Sequence, residues 1–231
     1  MRRQGDPPAA LRSLENDART TLPRGPHALP QKVVIEHQRR RLLEAAAEVV
    51  AEIGYAELRV KDMTDAAGVS RRTFYQLYDD KLECILAAHE SALSRLREVI
   101  KTACAGEITW ADGVAAAVDA GLRFAVRNPS ETRLLLLATH TVSEPRLMGA
   151  ALAAHEQFAE LLRAGRKQRG GGSPTELTES AVIGSVTAVL GARLSAGQTE
   201  GLRRLGPELV QIILAPYLGY EEAQRVAKAA A

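Results

Sequence analysis

The sequence is poor in aromatic residues, cysteine and uninterrupted apolar runs, and each shortage excludes a class of protein. Aromatic residues make up only 4% of the chain against 46% apolar residues, so its core must consist mainly of Ala, Leu and Val. Its two cysteines, Cys84 and Cys104, form no disulfide framework and no C-x-x-C motif. No apolar run reaches the roughly 18 residues that span a bilayer, and residues 1–30 lack the apolar block of a signal peptide. We therefore expect a cytoplasmic protein with reduced cysteines and no membrane segment.

Motifs that indicate common enzyme sites are also missing. A zinc protease needs a second histidine three residues after its His-Glu pair, but Leu93 and Ala159 stand at those places. The run Gly170–Gly172 is not followed by the Gly-Lys-Ser/Thr of a phosphate-binding loop, and no G-x-S-x-G occurs. We expect no catalytic residue, no metal ligand and no cofactor, and a helical enzyme is the least favoured alternative.

The net charge of +2 does not by itself indicate a nucleic-acid partner, but the positions of the positive residues do. They cluster at Arg39–Arg41, Arg59–Lys61 and Arg71–Arg72. Most nearby acidic residues fall on the first predicted helix, which can face away from DNA. Clustering on one element is a better indicator of nucleic-acid binding than the total charge.

The spacing of apolar residues predicts an all-α fold. Sustained alternation, which would indicate strands, is absent, and a sequence rich in Ala and Leu favours helices. The predicted helices span 33–53, 60–67, 70–77, 81–104, 112–127, 129–140, 144–169, 175–196 and 206–218.

Residues 60–78, VKDMTDAAGVSRRTFYQLY, carry the most specific signal in the chain. A short apolar-faced helix ends at Gly68, Val69 can fill the turn, and Ser70 can cap a second helix. Only Phe74 and Tyr78 of the second helix plainly face a core, and its other side chains are suited to phosphates and base edges. This pattern is typical of a helix-turn-helix.

The stretch resembles the TetR family of one-component bacterial regulators over residues 36–90. The matching residues are Leu42, Leu43, Ala45 and Ala46 of the L-x-x-A-A motif, Gly54 and Tyr55 of the turn, Ala66 to Ser70 of A-A-G-V-S, Thr73, Phe74, Tyr75 and Tyr78, and Lys81. Three positions depart from the family pattern. Arg59 stands where a capping hydroxyl is usual, Arg72 replaces a small residue, and Leu77 replaces a polar one.

Three regions are expected along the chain. The resemblance implies a three-helix helix-turn-helix DNA-binding domain over residues 31–81 and a helical domain for effector binding and dimerisation over residues 82–231, whereas residues 1–30 are expected to be a disordered extension because they hold five prolines and lack a periodic apolar face. The long helix from Lys81 is expected to link the two domains. The extension could instead act as a basic arm on DNA through Arg2, Arg3, Arg12, Arg19 and Arg24, but a plain tail is favoured because acidic residues dilute its charge.

The expected partner is double-stranded operator DNA. Arg71 and Arg72 are the best candidates to read guanine, and Gln76 could read adenine. Lys61 matches a family position that reaches bases or backbone, whereas Thr73, Tyr75 and Lys81 match phosphate-binding positions. Arg59 adds a possible phosphate contact, and Ser70 completes the predicted DNA-binding set.

The resemblance also implies a small-molecule effector and a homodimer. Predicted ligand residues in the C-terminal helices are Leu122, Phe124, Leu135, Thr139, Met148, Leu152, His155 and Phe158. The same residues could be an ordinary packed core, and His140 and His155 could be ordinary core or surface histidines. The helices at 175–196 and 206–218 are too apolar for lone surface helices, which suggests that they pair with a second copy. The predicted function is a transcriptional regulator, favoured as a repressor released by a mostly apolar ligand, and the alternative is a DNA-binding regulator without an effector.

Overall fold

The structure, a computed structural model, describes residues 30–137, 144–167 and 174–230. These ranges are helical and contain no strand, so the predicted all-α fold is confirmed. The helices are α1 (Gln31–Glu57), α2 (Val60–Ala67), α3 (Arg71–Leu77), α4 (Lys81–Cys104), α5 (Trp110–Arg127), α6 (Pro129–Leu137), α7 (Pro145–Arg163), α8 (Glu176–Ser195), α9 (Gly206–Leu218) and α10 (Tyr220–Ala229). The 3₁₀ segments Ala164–Lys167 and Leu202–Leu205 follow α7 and precede α9. The predicted extension up to residue 29 and the predicted ligand residue Thr139 lie outside the described residues.

Helix α10 is missing from the sequence prediction. It begins directly after Gly219, which has a φ of 81°, and it packs against α9. Its buried residues, Ala223 and Ala227, are small, and the rest of the helix is mostly polar. An apolar face made of alanines gives a weak periodic signal, and this is why the prediction stopped at the end of α9.

The chain divides into two compact units, residues 1–87 and 88–231, and the division falls within α4. In the first unit, Leu42 of α1, Met63 of α2 and Phe74 of α3 are fully buried. Gly54 has φ 79° and ψ 162°, outside the helical region. A positive φ is far less costly for glycine than for other residues, so α1 is interrupted at the predicted Gly-Tyr turn.

The second unit has a core that α5, α7, α8, α9 and α10 share. Val114, Leu162, Val182, Leu214 and Tyr217 are among its buried members. A second buried cluster, formed by Leu122, Ala125, Leu194, Leu202 and Leu209, connects α5 to the far end of α8 and the start of α9. Aliphatic residues dominate both clusters, in agreement with the low aromatic content.

A buried ion pair joins the 3₁₀ segment after α7 to α8. Glu179 of α8 has no exposed surface, and both of its oxygens accept hydrogen bonds from Arg166, Nε to Oε1 at 2.7 Å and Nη2 to Oε2 at 2.8 Å. Arg163 Nε lies 3.4 Å from Glu179 Oε2. Burial, and then the charge of Glu179, raise the pKa of Tyr217 to about 12. Glu179 is therefore a buried charge that depends on the two arginines.

Candidate DNA-binding surface and ligand cavity

The turn between α2 and α3 is built from Gly68 and Ser70. Gly68 ends α2 in the left-handed conformation, with φ 60° and ψ 39°, and its N–H donates to carbonyls of the last turn. Ser70 caps α3, since its Oγ accepts from the Thr73 N–H at 3.0 Å. The turn geometry expected of a helix-turn-helix is thus set by local hydrogen bonds.

Helix α3 is anchored on one side and open on the other. Phe74 is fully buried, whereas Arg71, Arg72, Tyr75 and Gln76 are exposed. With 100° between successive residues, Arg72 and Gln76 lie most directly opposite Phe74. Neither makes a hydrogen bond or ion pair with the part of the chain that the structure describes. Their polar groups are therefore free to bind another molecule.

The start of α2 differs in detail from the hydroxyl cap usual in the family. Asp62 takes over the cap, because its Oδ2 accepts from the Arg59 N–H at 2.9 Å. The Arg59 side chain is exposed, and Lys61 is exposed as well but pairs with Asp65. Surface pairs of this kind contribute only about 0–1 kcal/mol, so Lys61 can exchange its partner at little cost.

Two predicted DNA contacts, Lys81 and Ser70, have internal roles in the structure. Lys81 Nζ donates to the carbonyl oxygens of Tyr55 at 3.1 Å and Leu58 at 2.9 Å, and it lies 4.5 Å from the centroid of the Tyr55 ring. Two of its three N–H groups therefore hold the link between α1 and α2 in place. The hydroxyls of Ser70 and Thr73 lie 2.9 Å apart within the α3 cap. Phosphate contacts by these residues stay predictions, with fewer free groups to make them.

The second unit contains a cavity of about 540 Å³. Its wall is mainly apolar and comes from α4 to α9, and it includes five of the eight predicted ligand residues: Leu122, Phe124, Leu135, His155 and Phe158. The cavity lies within the roughly 300–1,000 Å³ usual for small-molecule sites. Helices α4 and α8, which are predicted to serve as a connection and a dimer interface, also line the cavity, through Leu93, Leu96, Ile100, Ile183, Val186 and Leu190.

The placement of Met148 and Leu152 in the cavity wall is wrong. Both face outward on α7, with 45% and 61% of their surface exposed, and neither lines the cavity. The sequence offers two adjacent apolar stripes on α7, and the stripe that contains Leu147 and Ala151 is the buried one. Periodicity alone could not decide between them, because both repeat at helical spacing.

One aromatic corner of the cavity depends on a glycine. Gly165 is buried, and a Cβ atom there would lie 2.4 Å from ring carbons of Trp110 and 2.8 Å from Tyr217. The two rings pack together with 4.9 Å between their centroids, and Trp110 lines the cavity. The corner has no room for any side chain at position 165.

We expect Gly165→Ala to lower the free energy of unfolding by about 1–3 kcal/mol, the usual cost of overpacking. Because Trp110 is the sole tryptophan, its emission spectrum in the folded protein should change as well. Urea denaturation followed by fluorescence measures both effects. Gly149→Ala is the matched control, since Gly149 is exposed on α7 with nothing within 4 Å. Equal stability of the two variants would contradict the packing argument.

Comparison with known proteins gives the first unit a family. Residues 42–88 match the family described as bacterial regulatory proteins, tetR family. The HTH-type transcriptional activator FasR of Mycolicibacterium smegmatis is 28% identical over 134 residues, which are 58% of this chain and 61% of that protein. The chain thus aligns with only about three fifths of that relative's length.

Solved structures extend the likeness to most of the chain. The fatty acid degradation regulator FadR from Bacillus halodurans has a TM-score of 0.68 at 17% identity, over 77% of this chain and 94% of its own. FadR from Bacillus subtilis, solved in complex with stearoyl-CoA, has a TM-score of 0.65 at 16% identity, over 78% and 98%. At these identities the likeness establishes the fold. The comparisons thus show a match to the tetR family of bacterial regulatory proteins over residues 42–88, and the fold of these solved regulators over most of the chain.

Proposed function

We propose that the protein binds a palindromic operator as a homodimer and represses transcription until a small, mostly apolar ligand releases it. The observation that carries this proposal is the open surface of α3, where Arg71, Arg72, Tyr75 and Gln76 are exposed while Phe74 is buried. A helix that exposes arginine and glutamine, with no partner for Arg72 and Gln76 among the described residues, is suited to the major groove.

Base reading is assigned first to Arg72 and Gln76. They lie one helical turn apart on the face opposite the core, about 6 Å along the axis. Arginine pairs with guanine O6 and N7, and glutamine with adenine N6 and N7. Arg71 and Tyr75 lie to one side of this line, and Arg59 lies at the start of α2. For these three residues we propose contacts to phosphates or to bases at the edge of the operator half-site.

Dimerisation through α8 and α9 is proposed because α8 leaves an apolar face uncovered. Leu177 is 78% exposed and Val189 38%, and Ala181, Ser185 and Ala188 between them are exposed too. On α9, Ile212 is 47% exposed. A continuous apolar face of this kind marks an interaction site. A two-fold dimer would place two copies of α3 about 34–36 Å apart, one turn of DNA.

Charge placed on the α8 face should prevent this dimer. We expect Ala188→Arg to convert the protein to a monomer and weaken operator binding, because two arginines would meet at a two-fold interface. Sedimentation velocity gives the oligomeric state. Ala229→Arg, at the exposed end of α10, is the control and should leave the dimer intact. A dimeric Ala188→Arg protein would exclude this face as the interface.

The cytoplasm is the proposed location, where operator DNA is found. By length and composition alone, α8 could cross a membrane, and it is the one helix of the described ranges that could. Helices buried within or between proteins pass the same test, and the proposed dimer accounts for the apolar face of α8.

Effector binding is proposed at the cavity of the second unit. Its apolar wall and its volume support a mostly apolar ligand. Binding of stearoyl-CoA to the Bacillus subtilis FadR shows that a protein of this fold can hold a long alkyl chain. Release follows by linkage: a ligand that binds the DNA-free form more tightly lowers DNA affinity by the difference in its binding free energy.

The experiment that tests the proposal selects DNA from a random pool with the purified protein. We expect enrichment of a palindrome whose half-sites lie about one turn apart. No enrichment by a folded dimer would contradict sequence-specific binding. A reporter behind the selected site then separates repression from the activation that the name of FasR states for that relative. Operator affinity that no apolar ligand changes would favour the alternative, a regulator without an effector.

A further inference from the structure

The polar groups on the cavity wall donate their hydrogens to carbonyl or carboxylate groups of the protein. This restricts which hydrogen-bonding groups a bound ligand can carry. Thr132 Oγ1 donates to the carbonyl oxygen of Asn128 at 2.9 Å. Thr187 Oγ1 donates to the carbonyl oxygen of Gly184, also at 2.9 Å. A hydroxyl whose hydrogen is used in this way offers only its lone pairs to another molecule.

Two further groups on the wall follow the same pattern. Cys104 Sγ lies 3.3 Å from the carbonyl oxygen of Gly113. Burial, and then Glu107, raise the pKa of Cys104, so the thiol keeps the hydrogen that it donates. His155 Nε2 lies 3.0 Å from the carbonyl oxygen of Ser180. A carbonyl only accepts, so Nε2 donates the hydrogen of this bond and directs it into the protein.

The edge of the cavity adds acceptors and a negative charge. Glu107 lines the cavity with an exposed carboxylate. The Thr109 hydroxyl donates to Asp112 Oδ2 at 2.6 Å. Among the described residues that line the cavity there is no lysine or arginine, and the indole N–H of Trp110 is the one side-chain donor without an internal partner.

We infer that this cavity selects an apolar ligand that carries a hydrogen-bond donor, such as a hydroxyl or an amine, over a carboxylate, ester or thioester with the same alkyl chain. The inference rests on the proposed effector function and specifies its ligand class. A donor group finds lone pairs on the wall. A carboxylate or ester loses its hydrogen bonds to water and finds one free side-chain donor among the described lining residues, the Trp110 N–H, and unsatisfied polar groups are costly to bury.

The test uses the full-length protein and five probes with the same ten-carbon chain: 1-decanol, decylamine, methyl decanoate, decanoate and decanoyl-CoA. Trp110 is the sole tryptophan and lines the cavity, so its fluorescence reports occupancy, and the shift in unfolding temperature gives a second measurement. We expect 1-decanol to bind about three- to tenfold more tightly than methyl decanoate, as one additional hydrogen bond allows. Decanoate and decanoyl-CoA should bind more weakly still.

Variants of the cavity wall test whether the preference for an alcohol over an ester arises from the two threonine hydroxyls. Thr132→Val and Thr187→Val, singly and together, keep the side-chain shape but remove the lone pairs, and the ratio of decanol to ester affinity should fall toward one in the double variant. Thr102→Val on the exposed surface of α4 is the control. An ester, acid or thioester that binds as tightly as the alcohol would overturn the inference and leave the effector function standing. Binding of none of the five probes, by either measurement, would overturn the effector function as well.

Discussion

Replacing Arg166 by alanine should lower the free energy of unfolding of the second unit by about 3–5 kcal/mol. Removing one partner of a buried ion pair leaves an uncompensated buried charge. Glu179 has no exposed surface and receives two hydrogen bonds from Arg166. Arg163 lies 3.4 Å from Glu179 and can compensate part of the charge, which places the expected value near the lower end of the range.

Replacing Glu179 by leucine should lower the free energy of unfolding by less than replacing Arg166 does. In Glu179→Leu, the arginines lose their partner but keep about a third of their side-chain surface in solvent. The double variant Arg166→Met with Glu179→Leu should recover much of the loss, because a buried pair replaced by apolar residues of similar size is often neutral. Urea denaturation of the three variants tests this order.

Arg225→Ala is the control for the general effect of losing an arginine. Arg225 forms a surface pair with Glu222 on α10, which contributes only about 0–1 kcal/mol. An Arg166→Ala protein that is as stable as Arg225→Ala would mean that Glu179 does not require a partner at this site.

The second large effect is expected on DNA binding. Arg71→Ala combined with Arg72→Ala should weaken binding to the selected operator by at least about tenfold, because a bidentate contact of Arg72 to guanine contributes about 1–3 kcal/mol and the loss of Arg71 removes a second contact to DNA. The fold should be unaffected, because both side chains are exposed and neither makes a hydrogen bond or ion pair in the described ranges. Fluorescence anisotropy with labelled operator measures the affinity, and circular dichroism checks the helix content.

Single variants separate base reading from phosphate contact. Arg72→Ala should relax selection at one guanine, and Gln76→Ala at one adenine, whereas loss of a phosphate contact weakens all sequences alike and reduces the salt dependence by about one charge. Arg204→Ala, an exposed arginine in the second unit, is the control. Unchanged operator affinity in the double variant would remove α3 from the proposed site.

Lys81 shows what could not be predicted from the sequence of the first unit. The helix-turn-helix was predicted nearly to the residue, because a glycine C-cap, a serine N-cap and a buried phenylalanine act over a few positions. Lys81 was predicted as a phosphate contact, yet its ammonium group bonds to carbonyls 23 and 26 residues away. A contact over that distance leaves no pattern in the neighbouring residues.

The cavity shows the same limit in the second unit. Five of the predicted ligand residues line it, Met148 and Leu152 do not, and the walls supplied by α4 and α8 were not foreseen. A helix shows its apolar residues in the sequence, but which of two adjacent stripes is buried depends on the helices that pack against it.

The all-α class and the helix-turn-helix could be predicted from the sequence, because helix propensity, capping and apolar spacing are local properties. Three features became visible only in the tertiary structure: the presence of α10 and its packing on α9, the buried Glu179–Arg166 ion pair, and the acceptor to which each polar group on the cavity wall donates its hydrogen. These features depend on contacts between residues far apart in the chain, and such contacts become visible only when the helices are packed.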